Sequence, residues 1–260
     1  MRFGVCTDFS SGPALARAGY DFVELHVQNH LKPQEPEEAF LPVLEKIKAC
    51  PVRCEAANCF VPGGLKIAGP DADLDKLRAY VAVAFERAKR AGIRTIVFGS
   101  GGARQIPDGV DRGAAWKQLV QFGKMIAPLA AKQGCTVAVE PLNRKECNVL
   151  NSVGEGARYV REVNHPAVRL LADAYHWGLD SDGYDDLVAA GPLLCHVHVA
   201  TFPPREPPGF GTCDLAPFFR ALREGGYDGR VSIECGWSDL AAQAAQAIAA
   251  LRTLAGASRA

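Results

Sequence analysis

No stretch of this sequence is long and apolar enough to span a bilayer, and its opening, MRFGVCTDFS, lacks the apolar run of a secretion signal. Neither sign of charge is in excess: Lys plus Arg and Asp plus Glu number 29 each, and no basic run interrupts that balance. Such a chain offers no electrostatic footprint for nucleic acid or an anionic membrane, so the expected partner is a small molecule. Nine cysteines are present, but no two are spaced CxxC, which argues against zinc-ribbon and thioredoxin-like readings. Their odd number, without a leader, predicts reduced thiols buried as small hydrophobes and a cytoplasmic location. No GxGxxG follows the first strand-like segment, and GxxxxGK[ST] is absent, so nucleotide-binding open sheets lack their fingerprint.

What is present is a repeating alternation. The 260 residues are 48% hydrophobic and close to the about 250 typical of one (β/α)₈ barrel. Short β-branched runs at Arg2–Thr7, Phe22–His26, Val52–Asn58, Thr95–Gly99, Thr136–Pro141, Val168–Asp173, Leu194–Ala200 and Val231–Cys235 read as strands. Helical patterns fall between them at Pro13–Ala18, Leu74–Arg90, Ala114–Lys132, Val153–Val163, Leu215–Glu224 and Ala241–Leu254. Glycines at the helix-to-strand joints, Gly19, Gly92 and the pair Gly225-Gly226, suit the left-handed turn that ends a helix. The pattern predicts an α/β fold, a single TIM barrel filling residues 1–260 as one domain, with an open doubly wound sheet as the alternative.

Polar residues then appear where a barrel interior is normally apolar. In Thr136–Glu140 the period of two puts Val137 and Val139 on one face and Glu140 on the other. The same logic sets Glu234 opposite Val231 and Ile233, and both His196 and His198 opposite Val197 and Val199. Asp173 shares a face with Leu171. Ionised groups pointing into a barrel are costly and repel one another unless a cation sits among them. Glu140, Asp173, His198 and Glu234 are therefore expected to bind one divalent metal. This oxygen-rich set with a single nitrogen suits Mn²⁺, Mg²⁺ or Co²⁺. His196, one layer deeper, is read as structural or as support for the ligands.

Several of these segments resemble the signatures of the xylose-isomerase-like TIM-barrel superfamily. The likeness is nearest to its sugar phosphate isomerase/epimerase members, the ketose 3-epimerases and hydroxypyruvate-isomerase-like proteins. Glu140-Pro141-Leu142-Asn143-Arg144 with Glu146 resembles E-P-L-N-R-x-E, and Asp173-Ala174-Tyr175-His176 resembles D-x-x-H. His196-Val197-His198, Arg205 and Pro208-Gly209-Phe210-Gly211 resemble H-x-H…R…P-G-x-G, and Tyr227-Asp228-Gly229 before Glu234 resembles the family's ending. The likeness is specific in the second half and architectural in the first. It implies that Glu140 and Glu234 are metal ligands that double as a catalytic acid/base pair. It further implies that Glu146, His176 and Arg205 hold substrate oxygens, that the metal is Mn²⁺ before Mg²⁺ or Co²⁺, and that the reaction is sugar isomerisation or epimerisation through a metal-stabilised enediolate. A homodimer or homotetramer is the implied assembly.

Two other activities of the same superfamily remain alternatives. One is an inosose-type dehydratase, which begins with similar proton abstraction. The other is an endonuclease IV-like repair nuclease, disfavoured because Asn58 and Phe98-Gly99-Ser100 occupy the regions where such nucleases carry extra histidines. Asn58 and Gly99–Gly102 are expected near the barrel mouth, and Glu24 and His26 share one face of the second strand as structural or pocket-lining groups. Trp116 is read as core or as a substrate cover, Lys66 as a lid residue, and Gly209 and Gly211 as a backbone cradle that could take a phosphate.

Overall fold

A computed structural model describes residues 1–180 and 183–256. Eight parallel strands close on themselves in sequence order: β1 (Arg2–Cys6), β2 (Phe22–His26), β3 (Arg53–Asn58), β4 (Thr95–Phe98), β5 (Thr136–Val139), β6 (Val168–Asp173), β7 (Leu194–Val199) and β8 (Arg230–Ile233). The barrel closes where β1 pairs with β8, Gly4 lying beside Ser232. Each strand lies within a residue or two of its predicted span, and the open-sheet alternative is excluded by that closure.

The helices outside are α1 (Gly12–Ala18), α2 (Glu37–Lys48), α3 (Leu74–Ala91), the single turn α4 (Gly101–Arg104), α5 (Arg112–Gln133), α6 (Val153–Val163), α7 (Ala174–Leu179), α8 (Tyr184–Ala190), α9 (Ala216–Glu224) and α10 (Leu240–Leu254). Asp73 caps α3 by accepting from the backbone N–H groups of Asp75 and Lys76. Gly19, Gly92 and Gly226 take positive φ at 83°, 81° and 74°, which a side chain would resist. Four helices, α2, α4, α7 and α8, were not among the predicted ones. Pro42 lies inside α2, and α4, α7 and α8 have at most seven residues, too few to show a helical period. Among the described residues no helix is long and apolar enough to cross a membrane.

Alternation along the strands decides what faces where. Val137, Val139, Val197, Val199, Val231 and Ile233 are fully buried in the main core between the barrel and its helices. At the substantially apolar energy of about 25 cal/mol per Å² removed from water, that layer dominates stability. The inward face of β1, β2, β7 and β8 instead carries Cys6, Glu24, His196, His198 and Ser232, and the four last named have no exposed surface.

Candidate metal centre and active site

The structure brings Glu140, Asp173, His198 and Glu234 together: each offers one ligand atom, and these atoms lie within 4.8 Å of one another. They come from the C-terminal ends of four successive strands, β5 to β8, the face on which barrel enzymes carry their sites. Glu140 and Glu234 each sit one step beyond a strand and remain in the ladder, Glu140 N–H donating to Phe98 O at 3.1 Å and Glu234 N–H to Val199 O at 3.1 Å. Asp173 is held from behind, its Oδ1 accepting from the Tyr175 N–H at 2.8 Å as the cap of α7. A β-carbon on Gly99 would lie 2.3 Å from Glu140 Oε2, so only glycine at the end of β4 leaves room for that carboxylate.

His198 Nδ1 points into the cluster, 3.0 Å from Glu140 Oε1 and 3.3 Å from Glu234 Oε2. Arg205 enters from the loop after β7. Its Nη2 donates to Asp173 Oδ2 at 3.1 Å and to Glu234 Oε2, its Nε donates to Glu234 O at 3.0 Å, and its guanidinium lies 4.4 Å from the Tyr175 ring centre. Asn58 donates to the other oxygen of Glu234 at 2.7 Å. Asn143 Nδ2 ties together Glu146 Oε1 at 2.9 Å and His176 Nδ1 at 2.8 Å, which leaves His176 Nε2 facing Asp173 Oδ2 at 3.5 Å.

The two glutamates are held in unlike electrostatic states. Burial raises the Glu140 carboxyl above its ordinary value, and the nearby Glu234 charge adds to that against the pull of His198. Burial also opposes ionisation of Glu234, but His198 and then Arg205 outweigh it and hold the group down to about 2. The His198 imidazole is desolvated, yet Glu24, Cys6, Glu234 and Glu140 around it raise its proton affinity well above the usual histidine range. The donor set fits a hard divalent ion: three carboxylates, one imidazole nitrogen and no thiolate among the four.

A cavity of about 300 Å³ opens directly over this cluster, lined by Gly99–Gly102, Glu140, Glu146, His176, Arg205 and Glu234. All seven residues proposed from the sequence as ligands, proton carriers or substrate contacts thus converge on one end of the barrel. A second cavity of about 560 Å³ shares Asn58, Cys59 and Glu234 with the first and extends over Thr7, Phe9, His26 and His30. Its wall has its own order: His30 Nε2 lies 2.9 Å from Asp8 Oδ2, and the His26 side chain accepts from the Asn29 N–H at 3.3 Å.

Some weaker expectations end elsewhere. Trp116 lies on the outside, its Nε1 donating to Glu162 at 2.7 Å with Arg158 4.5 Å from its ring centre, so it covers no substrate at the mouth. Gly209 packs against α10, where Gln246 donates to its carbonyl at 2.8 Å. Lys66, by contrast, stays at the mouth, where it donates to the carbonyl of the cavity-lining Gly102 at 2.9 Å. Two residues gain a role that their motifs did not announce. Asn143 sits inside the E-P-L-N-R segment as a bridge, and Glu24 lies buried beneath His198, a position that inward alternation on β2 was the only signal for.

A closed eight-stranded barrel with carboxylates and an imidazole gathered at its C-terminal mouth defines an enzyme-like TIM barrel with a candidate cation site. The chain matches the xylose isomerase-like TIM barrel family over residues 13–254 and belongs to it. Among curated relatives, a D-psicose 3-epimerase of Agrobacterium fabrum is 33% identical over 126 residues, which is 48% of this chain and 43% of that protein. A 3-dehydro-D-guloside 4-epimerase of Escherichia coli is 33% identical over 112 residues, 43% of this chain and 42% of that one. The chain spans less than half the length of these relatives in the aligned stretches. A crystal structure of a D-psicose 3-epimerase in the presence of D-fructose superposes with a TM-score of 0.83 at 24% identity, covering 98% of this chain and all of that one.

Proposed function

We propose that the protein is a divalent-metal-dependent epimerase or isomerase of a small ketose or ketose phosphate. The single observation that carries this is the meeting of Glu140, Asp173, His198 and Glu234 at one point, beneath a cavity walled by Glu146, His176 and Arg205. Those four side chains would hold the ion, Mn²⁺ first and Mg²⁺ or Co²⁺ as substitutes. When bound, it supplies Lewis acidity toward a carbonyl and its neighbouring hydroxyl.

The protein's own groups account for the proton movements. Glu234, kept ionised by His198 and Arg205, takes the proton from the carbon next to the carbonyl. The electron pair of that C–H bond moves onto the carbonyl oxygen. Glu140 returns a proton to carbon. Return to the opposite face inverts the carbon, and return to the neighbouring carbon, with the hydroxyl proton passing from one oxygen to the other, exchanges aldose for ketose. Arg205, His176 and Glu146 orient the substrate's oxygens, with Asn143 fixing the last two relative to each other.

The adjoining 560 Å³ cavity favours a second reading of the substrate, a keto sugar that carries a further group, in line with the guloside named for one relative. A homodimer or homotetramer is the proposed assembly and cytoplasm the proposed location. Incubation with Mn²⁺ and a panel of ketoses and keto-glycosides in D₂O tests the activity by deuterium appearing at carbon. Stereochemical inversion identifies an epimerase, and loss of water instead identifies the dehydratase alternative. Exchange that survives in both Glu140→Gln and Glu234→Gln would defeat the assignment of the acid/base pair.

A further inference from the structure

We propose that Glu24 is a positioning residue: from beneath the metal centre it fixes His198 so that Nδ1, and not Nε2, faces the cation. The inference rests on the metal reading above. Glu24 lies in the middle of β2 and is fully buried. Its Oε1 is 2.9 Å from His198 Nε2, while its Oε2 is 2.7 Å from His196 Nε2 and accepts from Ser232 Oγ at 2.6 Å. One side chain from the second strand thereby joins the seventh and eighth strands beneath the ligands.

The reach from β2 to β7 and β8 crosses in front of β1, and the composition of β1 permits it. Gly4 carries no side chain, and one there would meet the Phe22 ring at 2.4 Å. The next inward residue is Cys6, small enough to stand beside Glu24 at the same register.

An ionised carboxylate only accepts, so every partner must present a hydrogen to it. With Nε2 held against Glu24, Nδ1 is the ring nitrogen aimed between Glu140 and Glu234. A divalent cation seated there would meet Nδ1 while Nε2 stays bonded to Glu24. His196 supports the same assignment. Its Nδ1 is buried with no partner among the described residues, so no described group on that side competes with Glu24 for the ring's orientation. Ser232 and His196 hold the carboxylate, and the carboxylate holds His198. Glu24, His196 and His198 also lie close enough to be a metal group in their own right. Their spacings of 2.7 and 2.9 Å are those of direct hydrogen bonds, and we assign them as such.

The test uses Zn²⁺ as a diamagnetic probe, with the full-length chain labelled at its histidine ring nitrogens. The wild type should take up one Zn²⁺ and show the His198 ring metallated at Nδ1 with a slowly exchanging hydrogen on Nε2. Glu24→Gln keeps the side chain's shape, but its amide has one acceptor oxygen for two N–H groups. It should weaken Zn²⁺ binding by about 10–100-fold, read by chelator competition, with Ser232→Ala losing less. Zn²⁺ bound through His198 Nε2, two Zn²⁺ per chain, or an unchanged affinity in Glu24→Gln would each overturn the proposal. The first two readouts need no variant and stand even if Glu24→Gln fails to fold. A wild type that takes up no Zn²⁺ overturns the metal reading, and this one with it.

Discussion

The two ends of the barrel handle charge in opposite ways. At the N-terminal end, Arg2 grips Glu55 through two hydrogen bonds of 2.6 and 2.8 Å, and Arg230 approaches the same carboxylate at 3.6 Å while donating to Thr95. There one carboxylate is matched by two guanidinium groups of the chain itself. At the C-terminal end, the carboxylates of Glu140, Asp173 and Glu234 crowd together, with Arg205, His198 and His176 the charged or ionisable groups of opposite sense beside them. The comparison separates a paired network from a crowded one without appeal to motif: guanidinium groups outnumber the carboxylate at one end, and carboxylates crowd together at the other, where a ligand is expected.

Substitutions at the two ends should therefore differ in kind. The largest expected effects are those of Glu140→Gln and Glu234→Gln, each lowering proton exchange by about 10²–10⁴-fold with the melting temperature nearly unchanged, measured by deuterium incorporation and thermal unfolding. Gly99→Ala should follow. Its new methyl would occupy the space of Glu140 Oε2, and a displacement on the order of 1 Å costs about 10²-fold in kcat. Asn58→Ala removes a hydrogen bond to the charged Glu234 and should cost about 1.5–3 kcal/mol of transition-state stabilisation, read from kcat/KM.

The pH dependence sharpens the contrast between the ends. In the metal-free protein the His198 proton affinity lies well above its ordinary value, with burial opposing and Glu24 foremost among the groups raising it. A metal must displace that proton, so affinity should fall as pH drops, by up to about tenfold per pH unit, in calorimetric titrations with Mn²⁺. At the other end, burial opposes ionisation of Glu55, and Arg2 overrides it to lower the proton affinity. Its contribution to stability is present above the ordinary glutamate range and is lost as pH falls through the lowered value. Glu55→Gln should cost no more than about 1 kcal/mol of stability, because Arg2 is half exposed, and should leave proton exchange intact.

How much of this was readable in the sequence follows from how local each signal is. Strand spans emerged because β-branched residues alternate over four to six positions, and the ligands because Glu140, Asp173, His198 and Glu234 each break that alternation at a strand end. Helix α2 escaped although Phe40, Val43, Leu44 and Ile47 keep a helical period, because a proline, Pro42, in the middle of so short a run reads as a breaker. Arg205 could be named from its motif, but its grip on Asp173 and Glu234 depends on how the loop after β7 folds back. Glu24 was the least legible. Its partners lie 172 to 208 residues away, and no pattern within β2 distinguishes a carboxylate that supports a ligand from one that lines a pocket. The second cavity was equally hidden, since Thr7, His26 and Cys59 meet only when the barrel closes.

The central claim is that one cation completes the C-terminal mouth. Crystals grown with Mn²⁺ and measured across the manganese absorption edge test it most directly. The account predicts a single anomalous peak about 2.0–2.6 Å from Glu140, Asp173, Glu234 and His198 Nδ1. A peak outside those four groups, or none with manganese in excess, would contradict it.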